Sequence, residues 1–139
     1  MKRVFIIHGW SGTPDEGWLP WLGKELEKKG CVVSIPAMPE TDHPRIETWV
    51  DYLAKLVGRP DEDTYFVGHS IGCQTILRYL ETIDTKVGGA IFVAGWFDLE
   101  NLEDDETREI AKPWMENSLS LQKVQQVLPL STCVFSDNH

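Results

Sequence analysis

Cysteine is scarce in this sequence. There are three, Cys31, Cys73 and Cys133, an odd number without close spacing. That excludes a disulfide framework and points to a reducing, cytoplasmic setting. All three are expected as small core residues, since none has the electropositive neighbours that would make a thiolate nucleophile. Positive charge is also short: 13 Lys and Arg face 22 Asp and Glu, a net charge of −9. Such a surface disfavours nucleic acid and anionic lipid, both of which need basic groups for binding. No run approaches the roughly 18–20 apolar residues of a membrane span. The apolar stretch behind Met1-Lys2-Arg3 is too short for a secretory core. No Cys/His cluster suggests a metal, and no cofactor is expected. The acidic run Asp98 to Glu106 reads as a solvated helix face or loop.

What is present is an ordinary globular composition, 42% hydrophobic and 25% charged over 139 residues, enough for one domain with its own core. Val4–Ile7 is a solid apolar run, the mark of a strand buried on both faces. A Gly-rich loop follows, and Thr13-Pro14-Asp15-Glu16 predicts a helix start whose Trp18, Leu22 and Leu26 share a face down to Gly30. A second strand spans Cys31–Ile35. Thr41-Asp42-His43-Pro44 opens a second helix with Ile46, Trp49, Val50, Leu53, Leu56 and Val57 on its apolar face. Asp61-Glu62-Asp63 predicts a turn, Tyr65-Phe66-Val67 a third strand, and Ile71 to Glu81 a third helix. Gly89–Ala94 is a fourth strand. Residues 98–128 read as less regular helix interrupted at Pro113, with 98–119 as a small cap, and Thr132-Cys133-Val134-Phe135 as a fifth strand. The expected class is α/β: a single domain, 1–139, with a mostly parallel sheet of about five strands and helices on both faces. In such sheets, ligands gather at the carboxyl ends of the strands.

Gly68-His69-Ser70-Ile71-Gly72 matches G-x-S-x-G directly between a strand and a helix. That turn projects the serine hydroxyl above the sheet from a strained backbone. Its glycines remove side chains that would strike the neighbouring strand and helix. Ser70 is therefore the expected nucleophile. The backbone N–H of Ile71, at a helix start, and that of Trp10, in the loop after the first strand, are the expected oxyanion hole. His69 should point away from the hydroxyl, and His8 should brace its loop. Trp96, Phe97 and Trp114 are expected to overhang the serine as an apolar pocket.

The H-G-W-S-G loop, the G-H-S-I-G elbow, the A-G-W-F stretch and the terminal F-S-D-N resemble the small serine hydrolases of the retinoblastoma-binding protein 9 type, members of the α/β-hydrolase superfamily. The resemblance covers the whole chain. It implies a Ser-Asp-His triad in that order and an esterase-like or peptidase-like activity on a small-molecule or peptide acyl substrate.

The resemblance fails at the end of the chain. The position matching the family's acid is His139, and the histidine-bearing loop has no counterpart. Asp137 is a weak substitute for the acid, and Asp98 a second, each also readable as a turn or cap residue. None of this supplies a base. The expected explanation is truncation before a last helix and strand, about 30–50 residues by usual element lengths, leaving the chain inactive as it stands. The alternative is a binding module on the same scaffold, without turnover. A sheet edge left open by a lost strand would favour self-association.

Overall fold

The structure is a computed structural model and describes residues 1–93 and 105–134. Five strands, β1 (Arg3–Ile7), β2 (Val32–Ser34), β3 (Thr64–His69), β4 (Gly89–Val93) and β5 (Ser131–Val134), alternate with helices. The helices are α1 (Leu19–Lys28), α2 (Ile46–Val57), α3 (Ile71–Glu81), α4 (Asp105–Glu116) and α5 (Leu121–Val127). The strands form one sheet in the order β2-β1-β3-β4-β5. Every pairing is parallel, with Ile7 opposite Gly68 and His69 opposite Val93. The order reverses between β1 and β3, so the carboxyl ends of those two strands flank the switch point where parallel sheets take their ligands.

Alternating side chains divide the interior in two. Phe5, Ile7, Phe66 and Phe92 point toward α2, α3 and α5, where Trp49, Leu53, Ile76 and Val124 meet them. Val4, Ile6 and Val67 point toward α1, where Leu19 is buried and Trp18, Leu22 and Leu26 pack alongside. The larger of these layers supports the site. Trp49, Leu53, Ile71, Ile76 and Leu80 are all fully buried there, each contributing about 1.5–3 kcal/mol of apolar transfer.

Several boundaries differ from expectation. The Thr13–Glu16 segment is a turn, with Glu16 accepting from the Thr13 N–H, and α1 begins only at Leu19 with Pro20 in its first turn. Likewise α2 starts at Ile46, after the residues expected to open it, and Leu56 lies on its exposed side. Pro113 does not interrupt α4. It sits in the last turn, where the carbonyl it leaves unbonded belongs to exposed Glu109, and its own carbonyl accepts from Asn117 at 3.0 Å. The cysteines are not uniformly core: Cys73 is buried, Cys31 half-buried and Cys133 exposed on β5, the last strand of the sheet among the described residues. Among the described residues no helix is long and apolar enough to cross a membrane.

Candidate active site

β3 and α3 meet at Ser70, whose φ of 56° and ψ of −122° lie outside the regions an L-residue prefers. Such a conformation costs about 1–3 kcal/mol and persists only where the surroundings enforce it. They do so here through the main chain. The Ser70 N–H donates to the Val93 carbonyl at 3.0 Å, and the Ser70 carbonyl accepts from the Cys73 N–H at 3.0 Å.

The two flanking glycines have distinct duties. A Cβ on Gly68 would fall 2.9 Å from the Cys73 backbone, so this position lets β3 pass under the first turn of α3. A Cβ on Gly72 would fall 2.3 Å from the Ile7 carbonyl oxygen, so that one lets α3 lie directly on β1. Below the elbow, Cys73 donates its thiol to the Val93 carbonyl at 3.5 Å, and burial pushes its pKa up to about 12. It stays a neutral thiol and serves as a packing group.

The loop after β1 closes the other side. A Cβ on Gly9 would come 3.1 Å from the Ser70 Cβ, which places this backbone beside Ser70. His8 fixes it from beneath. Its Nε2 accepts from the Met38 N–H at 3.0 Å, so the ring proton is on Nδ1, which donates to the Gly9 carbonyl at 2.8 Å. Both nitrogens are thus used in bracing the loop. Further bonds run to the same neighbouring segment: Trp10 Nε1 to the Asp42 carbonyl at 3.2 Å, the Ser11 N–H to the Thr41 carbonyl at 2.8 Å, and Thr41 Oγ1 to the Gly12 carbonyl at 3.0 Å. Residues 38–42, of which Thr41 and Asp42 were read from sequence as part of a helix opening, are therefore the buttress of the loop beside Ser70. The single Pro39 with Thr41-Asp42 signalled a turn as readily as a cap.

Neither of the other described histidines is held as a base for Ser70. His69 turns toward α1 and stands edge-on to Trp18, with ring centroids 5.7 Å apart. Burial lowers its pKa, Glu16 opposing and His8 adding to the effect. His43 pairs with Glu106 of α4 at 3.3 Å. Among the described residues no group of three or more His, Cys, Asp or Glu is arranged to hold a metal.

Trp114, expected as a pocket wall, is placed in the core. It is 1% exposed, donates Nε1 to the Pro44 carbonyl at 2.8 Å and stands edge-on to Trp49. It is a core residue at the floor of a cleft of about 390 Å³ between α4 and the start of α2. Trp96 and Phe97, the two acid candidates Asp98 and Asp137, and His139 lie outside the described residues. Unforeseen from sequence was Arg78 of α3. Held by Gln74 Oε1 at 3.1 Å, it donates to the carbonyls of Trp114 at 2.9 Å and Asn117 at 3.0 Å, capping α4 onto α3. A lone arginine on an apolar helix face was its only sequence signal.

The family model described as serine hydrolase matches residues 4–138. The chain belongs to the serine hydrolase family. Within it, YdeN of Bacillus subtilis (strain 168), which its name assigns to the hydrolases, is 41% identical over 97 residues, covering 68% of this chain and 51% of YdeN. The rat (Rattus norvegicus) serine hydrolase RBBP9 is 28% identical over 116 residues, covering 81% of this chain and 61% of its own. The chain thus spans about half to three-fifths of the curated relatives it matches. The crystal structure of the B. subtilis ydeN product superposes with a TM-score of 0.88 at 32% identity, over 99% of this chain and 73% of that one. A Xanthomonas campestris pv. campestris protein of the α/β hydrolase superfamily gives a TM-score of 0.62 at 13% identity, over 99% of this chain and 87% of that one. At that identity the likeness speaks for the fold alone, and the fold is that of the α/β hydrolases.

Proposed function

We propose that this serine hydrolase family member cleaves an ester, thioester or amide through an acyl-enzyme on Ser70. The observation that carries the reading is the Ser70 backbone, held in its strained turn at the start of α3 with the Gly9-Trp10 loop packed against it. Ser70 Oγ would attack the substrate carbonyl carbon while its proton passes to a base. The carbonyl oxygen, now negative, would accept from the N–H of Ile71, which as the first residue of α3 has no intrahelical partner, and from the N–H of Trp10. Collapse expels the protonated alcohol, thiol or amine, and water then releases the acid. The substrate is a small-molecule or peptide acyl compound, with Trp96 and Phe97 as apolar walls and Asp137 as the acid that orients the base.

A second reading, a ligand- or protein-binding module without turnover, is favoured by one observation: His8, His43 and His69 are each engaged elsewhere. A fluorophosphonate probe with mass spectrometry separates the two. Labelling at Ser70, absent in Ser70→Ala, means an activated serine. An unlabelled wild-type chain means that Ser70 is not activated here, which favours the binding reading.

A further inference from the structure

Gly9, Trp10, Ser11 and Gly12 make a tight turn just past β1. The Gly12 N–H donates to the Gly9 carbonyl at 3.0 Å, and Ser11 takes a φ of 58°, the positive value that the third residue of a type II turn requires. Serine is strained there, and the bond from its N–H to the Thr41 carbonyl helps to hold it. The Gly9 carbonyl oxygen has a second donor in His8 Nδ1 at 2.8 Å. Gly12 lets the two converge, since a Cβ there would fall 2.9 Å from that oxygen and 3.1 Å from His8 Nδ1. The imidazole has no freedom to exchange its roles. It is 1% exposed, stands edge-on to Trp49, and its Nε2 is taken by the Met38 N–H.

The Gly9 carbonyl and the Trp10 N–H belong to one peptide plane, and among the described residues every peptide bond is trans. In a trans peptide the two groups point in opposite directions. Fixing the oxygen toward His8 and Gly12 therefore fixes the N–H away from them. Among the described residues that N–H has no acceptor. We propose that His8 is the positioning residue of the oxyanion hole: its Nδ1–H tautomer, set by Met38, holds the Gly9-Trp10 peptide with the Trp10 N–H free to take an oxyanion. The inference rests on the reading of Trp10 as an oxyanion donor and adds the groups that aim it. Without the His8 bond, a peptide that follows glycine can rotate, because no Cβ restricts the glycine. Rotation would bring the carbonyl oxygen round to the place of the N–H, where it would repel an anion. His8 thus excludes a repulsive arrangement as well as holding an attractive one.

The test begins on the wild-type chain and needs no variant there. Imidazole nitrogen NMR shifts should place the His8 proton on Nδ1, and the residual dipolar coupling of the Trp10 N–H should fit a bond antiparallel to the Gly9 carbonyl. Two substitutions then divide the ring's duties. Asparagine sets an amide N–H near the Nδ1 position, and glutamine sets an acceptor near the Nε2 position. His8→Asn therefore keeps the bond to Gly9 and His8→Gln the bond to Met38. Each gives up one buried hydrogen bond, so their melting temperatures should fall by similar amounts. The Trp10 coupling should depart from wild type in His8→Gln and hold in His8→Asn. With p-nitrophenyl acetate, His8→Gln should lower kcat by about 100-fold at nearly constant KM, as loss of an oxyanion donor does, and His8→Asn should recover about tenfold of that loss. A proton on Nε2 in wild type, an unmoved Trp10 coupling in His8→Gln, or rates that merely follow the melting temperatures would overturn the positioning role. A coupling that moves as stated in a chain with no ester turnover upholds that role and sinks the acyl-enzyme reading instead.

Discussion

Gly72 and Gly23 are both helix glycines, and replacing each by alanine separates the geometry of the elbow from helix propensity. In either place alanine gains up to about 1 kcal/mol of intrinsic helix preference. The surroundings differ. At Gly23 the new methyl would meet the Ile35 Cδ1 at 3.0 Å, the end of a side chain that rotates aside. At Gly72 it would meet the Ile7 carbonyl oxygen at 2.3 Å and that of His8 at 2.9 Å. Carbon and oxygen rest about 3.3 Å apart even in close contacts, so the first overlap is roughly 1 Å. Neither partner yields: Ile7 is paired in an interior strand of the sheet, and His8 is held through both ring nitrogens. The start of α3 must therefore lift off β1. Overpacking of this kind costs about 1–3 kcal/mol, occasionally more, so a net loss of about 1–2 is expected after the propensity gain. With a urea slope near 2 kcal/mol/M, the midpoint of Gly72→Ala should fall by about 0.5–1 M while Gly23→Ala stays within about 0.3 M of wild type. Equal midpoints for the two variants would refute the claim that close approach to β1 dictates glycine at 72.

Two further outcomes follow from groups around the elbow. Burial holds the His69 pKa below its free value of 6.5, so the unfolded chain takes up the proton first as pH falls, and stability should decline from about pH 7 through 6.5 toward the lowered folded value. His69→Gln should flatten that part of a plot of urea midpoint against pH; an unchanged slope would show that another group carries it. Arg78→Met strips the donor from the Trp114 and Asn117 carbonyls, and should cost about 2–3 kcal/mol. It should also speed proteolysis at residues 117–120, with Arg78→Lys restoring only part because an ammonium lacks the guanidinium fork; wild-type protease resistance in Arg78→Met would count against the cap.

The elbow was legible in sequence because its chemistry is local: a strand, two glycines about a serine and a helix start all lie within a dozen residues. The parallel sheet of about five strands and its helices were legible for the same reason, through solid apolar runs and the spacing of Trp49, Leu53 and Val57, whereas the strand order was not. Contacts between distant segments were not. Nothing in His8 or Met38 alone predicts that a main-chain N–H thirty residues away fixes the imidazole tautomer. Nor does Trp114 announce that Pro44, seventy residues earlier, takes its indole proton. A tryptophan near a site fits equally as wall or core, and only its partner decides. Capping chemistry misled in a different way. Thr13-Pro14 and Thr41-Asp42 carry the same residues that begin helices, yet here they make turns whose polar groups bond to each other and to the β1 loop.

The geometry that fixes Ser70 is made almost wholly of main chain: the bonds to Val93 and Cys73, and the close passage of Gly72 over β1. None of it requires a base or an acid, so the strained serine persists whether or not a triad is complete. A serine hydroxyl without a base is a weak nucleophile, yet an intact oxyanion hole does not depend on one. In serine proteases stripped of triad members, the hole and binding alone keep about 10³–10⁴-fold acceleration over water. If the amides of Trp10 and Ile71 grip the oxyanion as proposed, this chain should retain slow turnover of activated esters even where a fluorophosphonate fails to label it. The binding reading has no use for those two donors, so the residual rate distinguishes a disarmed hydrolase from a scaffold that was never one.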